Sequence, residues 1–495
     1  MPKILLINPP CIELCPGARV FTSKHPPLGL AYLASFLEKN NIEVGIYDSF
    51  AEDASMKDAE KKIIATDAEI IGLTSVTATI REAIQIATIA KKHNKKTIIG
   101  GAHVTALPGW ALNKYYCFDY EVIGEGEITL YELINEKKLE EIDGLVYRKG
   151  NEVVVNKRRN LIEDLSVIPF PRRSLLKNYL YKPSLKEFPR SKIFFTMITS
   201  RGCPFQCIFC ASKTIWGLGV RTRPLADVIA EIEELKRMGM EQLFIVDDMF
   251  TVNADRVEQI CKKIKSFDIQ WGCKARVDCV TPEMLKLLRY SNCAFIEYGI
   301  ESGSQKILDI MKKGITLEQI KETLKLTKEA GIRTNCSFII GNIGETEATF
   351  KETIRLAKEL NPRHAQFGIL APYPGTEAYE IAKKEGYLIK GFEDYTNPKY
   401  SDPAISLPGI SPKRIKKLVV RAYISFYLSP QRIFRFINDS LTSFYELKRN
   451  SRSLFELMMF YASMLDIVQN CKKILAKHKE LKKIVFKAQK IYVTH

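Results

Sequence analysis

The chain has 495 residues, 46% hydrophobic and 26% charged, which is enough for two or three domains each with its own core. No run of about 18 apolar residues is free of charge, which argues against a spanning helix, and Met1-Pro2-Lys3 leading straight into Ile4-Leu5-Leu6-Ile7 is too short and too strand-like for a secretory signal. The net charge of +17 is concentrated at one end: residues 411–495 hold 18 Lys+Arg against 5 Asp+Glu, while the first 410 hold 56 against 52.

A cytoplasmic protein is therefore expected, with a nearly neutral body and a basic tail. Twelve cysteines lie scattered from Cys11 to Cys471 with one tight cluster. That usage suits a reducing compartment and reads Cys261, Cys293 and Cys336 as core thiols.

Residues 3 to about 135 alternate short apolar runs with amphipathic stretches. Strands are predicted at Lys3 to Asn8, Glu43 to Tyr47, Ile70 to Ser75, Thr97 to Gly100 and Tyr120 to Ile123. Leu30, Leu33, Ala34 and Leu37 share one helical face, and so do Ile84, Ala87 and Ala90 with their neighbours. This pitch predicts a five-stranded, doubly wound parallel sheet of flavodoxin-like kind, with ligands at the carboxyl ends of the strands. Those ends carry Ser75, then Gly100, Gly101 and His103, then Gly124 and Glu125. Glycines there let backbone approach a bulky ligand, and small hydroxyls supply hydrogen bonds.

Residues 139 to 190 read as a linker, with a small hairpin (Gly144 to Arg148, Glu152 to Val155) and an extended Pro169-Phe170-Pro171 crossing. An apolar run, Ile193 to Ile198, then leads into Cys203, Cys207 and Cys210. Soft thiolates spaced four and then three positions apart suit an iron-sulfur cube with one open iron. Structural thiols or part of a zinc knuckle are the alternatives, although zinc would want a fourth Cys or His nearby.

From Lys192 to about Gly386 the alternation resumes with longer helices. Strands are predicted at Gln242 to Val246, Ile269 to Lys274, Ala294 to Gly299, Thr334 to Ile340 and Ala365 to Leu370. With the cysteine strand they make six, the content of a partial TIM-like βα barrel with its active residues at the carboxyl ends. Asp247 and Asp248, Arg276 with Asp278, Glu301 and Ser302, Gly341, and the Pro374-Gly375 turn stand at those ends. The blander readings are helix capping for either aspartate, a solvated Glu301, an Arg276 that only pairs with Asp278, and turn geometry for Gly341 and Gly375.

The cysteine pattern, with Phe209 just before its last member, resembles the signature of the radical S-adenosylmethionine (SAM) enzymes. Pro26 to Leu33 and Gly100-Gly101 through His103 to Pro108 make the first domain resemble the cobalamin-binding domain fused to many of them. The resemblance covers residues 3 to about 400. It implies a 4Fe-4S cluster on Cys203, Cys207 and Cys210, whose open iron is chelated by S-adenosylmethionine. It assigns Phe209, Asp247, Asp248, Glu301, Ser302 and Gly341 to S-adenosylmethionine, the acidic pair by position only, in place of the family's Gly-Gly-Glu. Ser75, Gly100, Gly101, His103, Gly124 and Glu125 go to cobalamin. The Asp-x-His-x-x-Gly motif of many cobalamin proteins is missing, so neither His25 nor His103 is assigned as a cobalt ligand. A second cluster on Cys11 and Cys15 is disfavoured, for no third cysteine lies at matching spacing.

The implied domains are 1–138 (cobalamin), 139–190 (linker), 191–400 (radical SAM) and 401–495 (a basic helical region). The implied reaction begins with an electron from a reductase or ferredoxin-type donor and yields a 5′-deoxyadenosyl radical. Methylation of an unactivated carbon is the favoured outcome, and rearrangement or cyclisation is the alternative. In the tail, Ile415, Leu418, Val419 and Ala422 form one face amid Lys413, Arg414, Lys416, Lys417 and Arg421; Leu481 to Lys490 repeat the pattern, and Leu454 to Met464 are rich in Phe, Tyr and Met. These features suggest peripheral contact with an anionic membrane at its inner face and a lipid or other small-molecule substrate. A helical cap on the barrel is the plain alternative. A nucleic-acid-modifying enzyme is disfavoured by the absence of a recognised binding module, and a cobalamin or cluster sensor is the non-enzymatic rival.

Overall fold

The computed structural model describes residues 3–11, 23–184, 186–188, 192–389 and 402–435. Cys15, Leu454 to Met464 and Leu481 to Lys490 lie outside the described residues.

The first domain is built on β1 (Ile4–Asn8), β2 (Val44–Asp48), β3 (Ile70–Thr74), β4 (Lys96–Gly100) and β5 (Tyr120–Val122), all parallel, in the order β2-β1-β3-β4-β5. Ile4 to Ile7 are all buried because helices cover both faces of the sheet. On one side the helix Leu28–Lys39 packs with Leu30, Ala34 and Leu37 inward, and on the other the helix Ile80–Lys92 packs with Ala83, Ile86, Ala87 and Ala90 inward.

The five expected strands are present, but the sheet is wider. The hairpin β6 (Leu145–Lys149) and β7 (Glu152–Val155), expected in the linker, pairs antiparallel with β5 and completes a seven-stranded sheet. Val146 and Tyr147 are buried there, so the edge of β5 is covered by the chain's own next segment.

The second domain has a six-stranded parallel sheet in the order β15-β14-β13-β12-β11-β8. Its strands are β8 (Phe194–Met197), β11 (Gln242–Ile245), β12 (Gln270–Ala275), β13 (Cys293–Glu301), β14 (Arg333–Ile340) and β15 (His364–Ile369). A two-residue ribbon, β9 (Ser200–Arg201) with β10 (Arg221–Thr222), brackets the cysteine loop. Alternate residues of each strand enter the outer core beneath the helices, where Trp271, Cys273, Cys293 and Cys336 are buried and Trp271 Nε1 donates to Ser291 O at 2.7 Å. The helices are capped locally: Thr281, Thr316, Thr346 and Thr376 each accept a backbone N–H at a helix start.

The described part of the basic tail is a barrel cap. The helix Pro412–Tyr427 buries Ile415, Leu418, Val419, Val420, Ala422 and Phe426 against the barrel. Tyr427 Oη bonds both Ala365 N (3.2 Å) and Ala365 O (3.0 Å), and Arg432 donates to Pro362 O and Arg363 O. Among the described residues no helix is long and apolar enough to cross a membrane.

Candidate active site

The cysteine loop leaves β8 and is fastened to the barrel on both sides. Ile208 N donates to Met311 O (3.0 Å), Ala378 N donates to Ile208 O (2.9 Å), and Cys203 bridges to Leu218. Gly202, at φ +98°, passes so close to the Gly219 carbonyl that no Cβ would fit. Cys207 is buried, while Cys203 and Cys210 are partly exposed. Burial pushes the Cys203 and Cys210 thiols up, and each also feels its neighbouring cysteines and Asp248. Among the described residues no three His, Cys, Asp or Glu side chains close on a single ion position. Three soft thiol donors on one short loop, with no fourth Cys or His in it, are the donor set of an iron-sulfur cube with one open iron, whereas a structural zinc takes four ligands.

The two expected aspartates part company. Asp247 is fully buried and accepts from Thr199 N (2.6 Å), Thr199 Oγ1 (2.5 Å) and Ser200 Oγ (2.6 Å), so it braces the strand that leads into the cysteine loop. Desolvation raises its pKa, against those hydrogen bonds. Asp248 is exposed and accepts from Ser212 Oγ at 2.7 Å. Neither caps the next helix, which Asn253 caps through Arg256 N.

Glu301 ends β13 at φ +65°, buried, with Lys313 Nζ 2.9 Å from its Oε1. It is therefore paired rather than solvated. Lys313 also lies 5.9 Å from the centroid of Phe209, tying Glu301 to the cysteine loop. Ser302 Oγ is 3.3 Å from Thr353 Oγ1, and Gly303 packs directly on the backbone of Glu352 and Thr353. Gly341, at φ +82°, donates its N–H to the buried Glu345, whose carboxyl is pushed up to about 7 by desolvation.

In the first domain, Ser75, Gly100, Gly101 and His103 come together at the ends of β3 and β4. Ser75 Oγ donates to Gly100 O at 3.1 Å. Gly101 sits at φ +101°, and a Cβ there would meet Ser75 O at 2.5 Å. His103 is buried edge-on against Trp110 (4.9 Å), with Nδ1 3.2 Å from Thr77 Oγ1, and desolvation lowers its pKa to about 4. Gly124 N donates to Thr105 Oγ1 at 3.0 Å. The segments that follow β3 and β4, next to these residues, face the second domain across a cavity of about 300 Å³. Val76, Thr77, Ala78, Ala102 and Ala106 line one side; Ala211, Thr214 and Ile215, which directly follow Cys210, line the other with Tyr373 and Pro374.

Glu125 lies apart from this wall. Its carboxylate receives Arg201 Nη1 (2.5 Å), Arg221 Nη1 (2.9 Å) and Ile162 N (2.7 Å), while Arg201 Nη2 reaches Glu127 at 2.8 Å. The Arg201 guanidinium lies 5.6 Å from the centroid of the Tyr32 ring and 5.2 Å from that of Trp216. Sequence reasoning missed Arg201, Glu127, Lys313 and Glu345. Arg201, two residues before Cys203, carried the nearest thing to a signal.

Two family models match the chain: the radical SAM superfamily over residues 197–357 and the B12 binding domain over residues 15–134. An uncharacterized methyltransferase of Pyrococcus horikoshii is 36% identical over 88% of this chain and 94% of its own. The anaerobic magnesium-protoporphyrin IX monomethyl ester cyclase of Rubrivivax gelatinosus is 29% identical over 76% of this chain and 69% of its own. Among solved structures, the cobalamin-dependent S-adenosylmethionine radical enzyme OxsB shares the fold at a TM-score of 0.68 with 17% identity, over 95% of this chain and 75% of that one. The radical S-adenosylmethionine methyltransferase TsrM of Kitasatospora setae shares it at 0.63 with 19% identity, over 78% of each.

The chain belongs to the radical SAM superfamily, in the branch that carries a B12 binding domain. It is an enzyme of that branch, and its cofactors are a 4Fe-4S cluster, S-adenosylmethionine and cobalamin.

Proposed function

We propose that the protein transfers a methyl group to an unactivated carbon, with the cobalamin and cluster sites facing each other across the interdomain cavity. The observation that carries this reading is the cavity wall itself. Ala211, Thr214 and Ile215, just after Cys210, oppose the Val76 and Ala102 side of the first domain. When bound, the cluster and S-adenosylmethionine supply radical chemistry and cobalamin supplies a methyl carrier.

Within this reading, Cys203, Cys207 and Cys210 are the cluster ligands. Phe209, Glu301, Ser302 and Gly341 form the S-adenosylmethionine side with Asp248, and Asp247 acts by holding Thr199 and Ser200. Ser75, Gly100, Gly101, His103 and Gly124 cradle cobalamin, and the aliphatic side chains around them keep the cavity dry, which protects a radical from quenching. Glu125 acts indirectly, by docking Arg201 and Arg221.

A second reading, carbon-skeleton cyclisation, is favoured by the relationship to the cyclase. The substrate is proposed to be a small molecule or lipid. A lipid is supported by the basic exposed side of the helix Pro412–Tyr427 (Lys413, Lys417 and Arg421), which suits an anionic surface inside the cell.

Anaerobic reconstitution of the full chain should bind iron, sulfide and cobalamin together. If Cys207→Ala retains the wild-type iron content, the cluster assignment is wrong. Extracts of a deletion strain, supplied with enzyme and methyl-labelled S-adenosylmethionine, then separate the outcomes. Methylation places label in the product, and a labelled cofactor with an unlabelled cyclised product sinks the methyl-transfer reading.

A further inference from the structure

Arg276, just beyond β12, occupies a place that the cofactor assignments leave unexplained. It is 5% exposed and held from three directions. Its Nε and Nη2 make a two-pronged pair with Asp278 (3.0 and 2.9 Å), Nη2 also donates to Lys313 O (2.6 Å), and the guanidinium lies 3.6 Å from the centroid of the Phe205 ring. These anchors use one edge and one face of the group. The remaining edge, Nη1, is turned to Cys207 Sγ at 3.6 Å. Both Phe205 and Cys207 belong to the cysteine loop, so the guanidinium is fitted to that loop and not merely parked beside its own aspartate.

A guanidinium is charged at every working pH, and a planar fork held on its Asp278 edge cannot swing away from the sulfur. A fixed cation donating N–H···S in a buried site favours whichever state of its partner is more negative. For an iron-sulfur cluster that is the reduced state, and hydrogen bonds to the sulfurs are among the factors that set cluster potentials. We infer that Arg276 is a positioning residue for the electron-accepting step. By donating from Nη1 to the Cys207 sulfur it raises the reduction potential of the cluster held there. The step adds one electron from an external donor to the cluster and needs no proton. The inference rests on the assignment of Cys207 as a cluster ligand.

The test is a potentiometric titration of the anaerobically reconstituted full-length enzyme with dithionite, followed by the paramagnetic signal of the reduced cluster, alongside iron and sulfide analysis. Arg276→Met should keep the metal yet show at least a tenfold smaller reduced-to-oxidised ratio at a fixed potential, which is a shift of about 59 mV to more negative values for a one-electron couple. Arg276→Lys keeps the charge but not the fork, and should fall between, with a threefold or greater loss. Wild-type potentials in both variants with iron intact overturn the inference. If Arg276→Met does not fold, Arg276→Lys decides alone by the same criterion. Failure of the wild type itself to bind iron condemns the cluster assignment instead, so the two ideas fail separately.

Discussion

Arg201 Nη1 lies 2.5 Å from Glu125 Oε1, a contact that joins the residue two places before Cys203 to the end of β5 in the other domain. Both side chains are almost wholly buried, and Glu127 and Arg221 complete a charge-balanced group of four. Opposed charges at a dry boundary fix one docking of the two domains, because any slip would leave an ion without its partner.

Arg201→Met should therefore destabilise the protein by roughly 3–5 kcal/mol, the usual consequence of stranding a buried charge. Glu127→Gln added to it should recover part of the loss. Urea unfolding of the single and double variants measures the coupling. Strict additivity would show that the contact contributes nothing specific.

Gly101 combines φ +101° with ψ −176°, a region open to glycine almost alone, and a Cβ there would press on Ser75 O. Gly101→Ala should lower stability by about 1–3 kcal/mol and weaken cobalamin retention by distorting the ends of β3 and β4. Cobalamin content by absorbance after gel filtration, with iron content as the internal reference, is the measurement. Normal cobalamin and normal thermal stability would contradict the crowding argument.

Glu345 gives a signed pH dependence. Burial lifts its carboxyl from 4.5 to about 7, so between those values the folded protein keeps a proton that the unfolded chain releases. More protons bound in the native state mean that stability falls as pH rises through this window, and the penalty is complete above 7. Relative to Glu345→Gln, the wild type should lose roughly 2–3 kcal/mol between pH 5 and pH 8. Parallel stability curves for the two proteins would exclude a raised carboxyl.

The helix Pro412–Tyr427 is part of the barrel packing. Deleting everything after 410 removes Ile415, Leu418 and Phe426 from the barrel and should expose the sheet at β15, giving an aggregating protein. Deleting only 436–495 keeps the helix Pro412–Tyr427 and the Arg432 contacts to Pro362 O and Arg363 O, and should leave iron and cobalamin binding intact. Flotation with anionic liposomes before and after the shorter deletion then tests membrane contact, and unchanged flotation would place any such contact on the helix Pro412–Tyr427 instead.

The sequence by itself determined the two sheets and the thiol loop. Apolar periodicity marks a strand whatever it packs against, and three cysteines at short spacing lie on one loop in any fold. All eleven expected strands appear, with ends shifted by one or two residues. The hairpin at Gly144 to Val155 was legible as a hairpin but not as part of the first sheet, since local pattern does not say which edge a ribbon will join. Charged side chains were harder still. Arg201 meets Glu125 across 76 residues of chain and Arg276 meets Cys207 across 69, while Asp247 turns back to Thr199 and Ser200. A buried ion takes the partner that domain docking brings within reach, and only the tertiary structure decides which partner that is.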